Sequence, residues 1–471
     1  MKEVGGKKIV ILGGGPAGLA AAYELAKQKQ CPIVFEASNS LGGIAKTEDW
    51  KGYYFDIGGH RFFTKSEEVN ALWHSILSEK EFLKRPRLSR IYYQKNFFNY
   101  PLRPFNALFG LGIIESFRIL FSYLRIKIFP LQKQFNFEEW VINRFGKRLY
   151  KIFFKTYTEK VWGIPCSEIS TEWAGQRIKG LSLSTAIINA FFKNAKGQPK
   201  TLIDEFEYPK YGPGLMWAKM AEEITKSGGS ISLNSAITQM GLENNFVKWI
   251  KVNNREKIET ENVISSMPLR DLILNIEPQP EREVVQAAES LLYRGLITVI
   301  LIIDESEIFS DNWIYIHSPE VRLGRIQNFK NWSPYMVPDQ NKTCLGLEYF
   351  YSSGDELDKM KDGDLVELGI RELECIGFPV ARKKVLKSIV IKIPKAYPCY
   401  VGNYKKSLDI IVRFLGQIKN FQTIGRNGMH RYNNMDHSML TGLYAARNVL
   451  GDNYDLWRVN ADEEYHESGS N

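Results

Sequence analysis

The 471-residue sequence predicts an α/β fold, α+β when the whole chain is counted, in which a Rossmann-like sheet is assembled from separate stretches around a helical insertion and a second, mixed or antiparallel sheet. Three observations carry this. A strand, glycine turn and helix occupy residues 9–26, and another apolar strand follows at 32–35. A second glycine-rich run, Gly425-Arg426-Asn427-Gly428, opens a further helix pattern about four hundred residues later. Between the two, the hydrophobic period changes from helical spacing over residues 137–193 to strand patterns over 290–393.

Length and composition bound the rest. A chain of this length exceeds what one hydrophobic core usually serves, and 44% hydrophobic with 24% charged residues is the balance of a folded globular protein. The expected division is a discontinuous domain from 1–90, 200–275 and 395–471, a helical region at 91–199, and the second sheet at 276–394. Five cysteines (31, 166, 344, 375 and 399) form no CxxC pair, which argues against a zinc site or a disulfide frame. No signal-peptide pattern precedes the first strand, so a reduced, cytoplasmic setting is expected, with peripheral contact to the inner face of a membrane left open. The net charge of +9 suits nucleic acid, a membrane surface or a phosphorylated small molecule. The sequence has no nucleic-acid-binding motif, so nucleic acid is not expected as a partner, and oligomeric state is not legible.

At the N-terminus, Ile9, Val10, Ile11 and Leu12 read as a short buried strand that ends in Gly13-x-Gly15-x-x-Gly18. Gly13 permits the tight turn, Gly15 lets a pyrophosphate approach the backbone, and Gly18 lets helix and strand pack closely. Pro16 and Ala17 open an alanine-rich helix whose first N–H groups can meet phosphates. The second strand ends at Glu36, eighteen residues beyond Gly18, where a carboxylate would accept ribose hydroxyls; Ala37 follows it. Two further glycine pairs, Gly42-Gly43 and Gly58-Gly59 before His60, suit backbone running beside a second, longer stretch of cofactor. This order resembles the FAD-binding superfamily of amine oxidases and protoporphyrinogen oxidase.

The middle is less uniform. Residues 104–130 are apolar but interrupted by Glu115, Arg118, Arg125 and Lys127, which makes them a poor membrane span. Two readings stand: an amphipathic helix lying in a membrane interface, or a helix packed in the core of the substrate region. Trp140, Val141 and Phe145 lie on one face of the next helix pattern. A turn-rich return at 206–214 precedes a helix at 215–226 and a strand of the first domain at 262–268. At the C-terminus, Gly425 and Gly428 allow close backbone approach, and Arg426 can offset flavin or phosphate charge. A helix opening near Asn434 to Ser438, with Asp436, His437 and Ser438 as the expected cofactor contacts, can direct N–H groups at the ribityl chain or pyrophosphate. His430, His437 and Asp436 find no completing ligands elsewhere, so no metal is expected.

Along most of its length the chain resembles the flavin-dependent UDP-galactopyranose mutases, more their eukaryotic branch than the common bacterial one. The shared motifs keep order and spacing: Asp56-Ile57-Gly58-Gly59-His60, Tyr100-Pro101, Phe137 to Trp140, Lys160 to Pro165, Trp173 to Arg177, Arg325 with Asn331 to Pro334, Ala396-Tyr397-Pro398, and Gly425 through Ser438. The resemblance implies that Arg177 and Arg325 hold a sugar-nucleotide diphosphate, which two guanidinium forks do better than lysines. It implies that Tyr397 and Tyr432 also reach the diphosphate, that His60 lies beside the isoalloxazine, and that Trp162 and Tyr100 face the nucleobase. The family asparagine near the uridine is Thr158 here.

By the same resemblance the expected activity is a redox-neutral mutase, an isomerase of nucleotide sugars serving cell-surface polysaccharide synthesis. Reduced FAD would attack the anomeric carbon through N5, and the sugar adduct would open and reclose in the other ring size. NAD(P)H is the expected reductant, and His60, Arg177 and Arg325 are the expected catalytic residues. The alternative is an FAD oxidase or dehydrogenase of the amine oxidase or protoporphyrinogen oxidase type.

Overall fold

A computed structural model describes residues 8–460 apart from 101, 103, 172–204, 379 and 381. Its first layer is an all-parallel sheet of five strands in the order Phe421–Thr423, Asn262–Ser265, Ile9–Leu12, Ile33–Phe35, Ser230–Ser232. Ile9–Leu12 is central and fully buried, which is why it is an unbroken apolar run. Alternate residues serve two cores. Ile9 and Ile11 face helices Pro16–Lys27, Gly214–Lys226 and Met435–Leu450, whereas Val10 and Leu12 face helices Leu269–Leu274, Arg282–Glu289 and Tyr404–Leu415 and a small sheet. That small sheet is built from Ile237–Glu243, Phe246–Val252, Glu256–Glu259 and Ile276–Glu277.

The first and last long helices touch along small residues. A Cβ on Gly442 would lie 2.1 Å from the Ala17 carbonyl oxygen, so only glycine lets the helices approach this closely. Arg447 fastens the same pair through Glu24, at 2.9 Å, and through Glu68 of helix Glu67–Ile76.

The second sheet has seven strands, ordered Val385–Pro398, Tyr293–Ile303, Thr343–Tyr351, Arg325–Asn328, Trp313–Ile316, Ser89–Tyr93, Asn96–Asn99. Every pairing is antiparallel except Trp313–Ile316 with Ser89–Tyr93, so the sheet is mixed. Its edge hairpin, residues 89–99, lies across the division anticipated at residue 91. Tyr293–Ile303 is buried almost throughout because both faces are covered: Ile297, Val299 and Leu301 meet helix Asp362–Cys375, and Ile300 and Ile302 meet the hairpin Thr47–Trp50/Tyr53–Asp56.

The helical part runs through Pro104–Leu111, Ile113–Ile128, Phe137–Leu149, a π-helical turn at Tyr150–Lys155, and Thr156–Trp162. Ile113–Ile128 crosses Phe137–Leu149 at Gly146, where φ is +79° and an added Cβ would stand 3.0 Å from the Tyr123 backbone. Among the described residues no helix is long and apolar enough to cross a membrane.

Candidate functional site

The distant ends of the chain meet above the parallel sheet. The loop after Ile9–Leu12 turns at Gly13, and no side chain caps the helix that Pro16 begins. A Cβ on Gly18 would stand 1.9 Å from the Gly13 carbonyl oxygen, so the turn requires glycine there. The second glycine loop lies directly against the first: the Gly42 N–H donates to the Gly14 carbonyl at 2.9 Å, and a Cβ on Gly15 would meet the Gly43 backbone at 3.8 Å. Glu36 steadies this cradle, its carboxylate accepting the Gly14 N–H at 2.7 Å and the Ser38 N–H at 2.8 Å, with Ala37 exposed beside it. From the C-terminal side, Gly425 sits on the first helix, where an added Cβ would be 2.9 Å from that of Ala17. Bare backbone at an uncapped helix N-terminus is a phosphate cradle, and these residues fit the pyrophosphate of FAD.

A cleft opens next to this cradle. Its walls include Gly58, Gly59, His60, Arg61, Tyr315, Arg325, Tyr397, Arg426, Tyr432 and Asp436, with Ile44, Ile57, Leu296 and Met435 as apolar surface. Cofactor and substrate candidates therefore share one space. Burial, then Arg426 and Arg325, push His60 down to about 3, so its imidazole is neutral; its Nδ1 is buried without a hydrogen-bond partner. Asp436 is buried and accepts from the Thr64 hydroxyl at 2.9 Å. His437 caps its helix by accepting the Asn434 N–H at 3.4 Å, and the buried Ser438 gives its carbonyl to Thr441. Those two residues build the helix end, while Asp436 looks into the cleft.

Arg325 owes its position to sheet register. Tyr315, Arg325 and Glu348 are direct cross-strand partners on three adjacent strands, so their side chains stand in one row on one face. Glu348 is fully buried; it accepts the Arg325 Nε–H at 2.6 Å and the Gln327 amide at 2.9 Å, and also pairs with Arg325 Nη2. This carboxylate holds Arg325 protonated despite burial and fixes the plane of its guanidinium. Gly58 lies close by: a Cβ there would be 3.7 Å from Arg325 Nη2 and 3.7 Å from His60 Cε1.

A second group forms around Arg426. Its Nε donates to the Asn433 carbonyl at 2.8 Å, and its guanidinium lies 4.6 Å from the Tyr432 ring and 5.7 Å from the Tyr397 ring. The two tyrosines stack with centroids 5.8 Å apart and planes 14° from parallel. Burial pushes the Tyr397 phenol up to about 12, so it stays a proton donor.

Other expected residues do not line the cleft. Trp162 is buried and stacks on Tyr400 at 6.4 Å, Thr158 is buried in the same helix, and Tyr100 packs at 4.9 Å on Tyr315. From that helix it is Tyr157 whose ionisation responds to Arg325, and its ring lies 5.4 Å from Tyr315. Arg177 falls outside the described residues. Arg61, Tyr315 and Glu348 were missed. Arg61 directly follows His60, and Tyr315 alternates with buried Ile314 and Ile316, but only strand pairing links Glu348 to Arg325. No group of three or more metal-ligating side chains occurs among the described residues, and all five cysteines are free thiols.

Known proteins resemble the chain in two directions. A 15-cis-phytoene desaturase of Capsicum annuum is 25% identical over 420 residues, 83% of this chain and 69% of that protein. A probable UDP-galactopyranose mutase of Klebsiella pneumoniae is 29% identical over 173 residues, 35% of this chain and 43% of that protein. A solved structure of reduced UDP-galactopyranose mutase superposes with a TM-score of 0.83 over 97% of this chain and 96% of that one; at 22% identity this speaks for the fold alone. A family model described as flavin containing amine oxidoreductase matches residues 16–450, most of the chain, from the helix that follows the Gly13–Gly15 turn through the C-terminal glycine run, and the chain belongs to that family.

Proposed function

We propose that the chain is an FAD-dependent mutase that interconverts the pyranose and furanose forms of a nucleotide sugar without net oxidation. The observation supporting this is the charge of the cleft: Arg61, Arg325 and Arg426 converge with three tyrosines, against two carboxylates, Asp436 in the wall and Glu348 behind Arg325. A substrate carrying a diphosphate suits such walls, because guanidinium forks and phenols satisfy phosphate oxygens in a space partly closed to water. An apolar polyene would offer these groups no acceptor oxygen in exchange for the water it displaces.

FAD bound in reduced form supplies a nucleophilic N5 for the anomeric carbon, with NAD(P)H as its expected reductant. The chain's own residues position and stabilise. Arg325, fixed by Glu348, and Arg426, fixed by backbone carbonyls, offer charge to the diphosphate as it leaves and returns. Tyr397 donates a hydrogen bond without losing its proton, and neutral His60 adds no competing cation. Arg177 joins the diphosphate contacts in this reading.

A second reading, an FAD oxidase or desaturase, is favoured by the desaturase relatives, whose identity extends over most of the chain. Dithionite-reduced protein mixed with UDP-galactofuranose should yield the pyranose form by chromatography. Absence of turnover across UDP, dTDP and GDP sugars overturns the mutase reading. Hydrogen peroxide release or acceptor reduction with an amine, porphyrinogen or polyene would establish the second.

A further inference from the structure

Helix Ile113–Ile128 presents an apolar face to solvent. Ile113, Ile114, Phe117, Phe121 and Ile128 are each at least 68% exposed, and Leu120 and Leu124 about half. At roughly 100° per residue these seven positions fall within about 120° of the helix circumference, one continuous stripe. The opposite side is the anchored one: Ile119 and Tyr123 are buried, and the Tyr123 backbone rests on Gly146. Apolar surface continues beyond the helix through Phe129 and Phe135, both 72% exposed. Isolated surface apolar residues are ordinary, but a rimmed stripe of this size marks a contact surface.

Charge selects the occupant. On the same helical spacing, Arg118 and Arg125 flank one edge of the stripe and Lys127 the other, all three exposed, and Lys133 follows in the linker. The helix has one acid, Glu115, which lies on the anchored side and is paired with Arg148 and Arg118. We propose that this face docks on the surface of a bilayer containing anionic phospholipid, with the helix lying in the headgroup layer. Phe117, Phe121 and their neighbours reach the acyl boundary, and the flanking bases meet lipid phosphates. A second copy of the chain fits less well, because a two-fold pairing of these helices brings basic edges together with no acid on the face to offset them. The inference does not depend on which reaction the cleft performs.

The test is flotation of the full-length, FAD-loaded chain with vesicles, retention of flavin absorbance serving as the check on folding. Wild type should float with phosphatidylcholine–phosphatidylglycerol vesicles at low salt. About tenfold less should float with pure phosphatidylcholine or at high salt. Phe117→Ser with Phe121→Ser should abolish flotation, and Arg125→Gln with Lys127→Gln should reduce it about tenfold. Failure of wild type to float at low salt overturns the proposal. So does flotation unchanged by the phenylalanine substitutions, or a wild-type dimer that does not float and that those substitutions convert to monomer.

Discussion

Glu348 decides what Arg325 can do. An arginine entering a cleft is useful only if its guanidinium is held in one plane, and a buried carboxylate on the next strand does that. Arg325→Lys should lower kcat/KM about tenfold to a hundredfold, because a lysine's donors all sit on one nitrogen and cannot form the planar fork that holds Glu348 and a phosphate at once. Glu348→Gln leaves a cation without its buried partner and should cost about 3 kcal/mol in thermal or denaturant unfolding. An unchanged melt would show that the pair does not anchor the row.

Asp56 is a different case. It is buried between the Thr47 hydroxyl, at 2.7 Å, and that of Tyr208, and burial pushes it up to about 7. The unfolded chain releases this proton near pH 4 and the folded chain keeps it to about 7, so ionisation weighs against folding. The stability contributed by protonated Asp56 is therefore lost as pH rises from about 4 through 7. Melts at pH 5 and pH 8 should show a smaller difference for Asp56→Asn than for wild type. His60 runs the other way. Its depressed value means that stability is lost as pH falls from about 6.5 towards 3.

Among the elements, the two long helices of the first domain depend on close approach. Gly442→Ala would force its Cβ against the Ala17 carbonyl and push helix Met435–Leu450 off helix Pro16–Lys27. Overpacking of this kind costs about 1–3 kcal/mol, and here it would also shift Asp436 away from the cleft. The expected outcome is a lower melting temperature together with weaker flavin retention, read by the absorbance of protein after gel filtration. Elements with local signals were legible: the strand at 9–12 by its apolar run, the helix after it by its proline and alanines, and, by its β-branched residues, a strand at 296–303, which the structure extends to Tyr293–Ile303. Helix Ile113–Ile128 allowed two readings because its charges interrupt its apolar residues, and which side faced solvent depended on Gly146 and the crossing helix.

At the scale of the molecule, the cradle is closed by chain segments far apart in sequence. Phe421–Thr423 is the outer strand of the parallel sheet, and the residues after it supply Arg426, Tyr432 and Asp436. A chain ending at Leu415 would expose the strand Asn262–Ser265, uncover helix Pro16–Lys27 and lack one wall of the cleft. It is expected to be insoluble or free of flavin on purification; a soluble, yellow truncated protein would overturn this account of the fold.

The sequence by itself determined the parallel α/β unit and the glycine-rich turns at either end, because turn chemistry and hydrophobic period are local properties written in consecutive residues; the meeting of those ends is made by strand pairing and helix contact in the folded chain. Only the tertiary structure decided which aromatic and charged residues share the cleft. Tyr100 and Trp162 were expected to face the nucleobase and Tyr397 and Tyr432 the diphosphate; all four pack about one hydrophobic cluster, yet only Tyr397 and Tyr432 reach the cleft wall, while Thr158 and Trp162 are buried in their helix. Arg325 could be named from its motif, but its partner could not. Glu348 lies twenty-three residues away and is brought beside it by strand register alone.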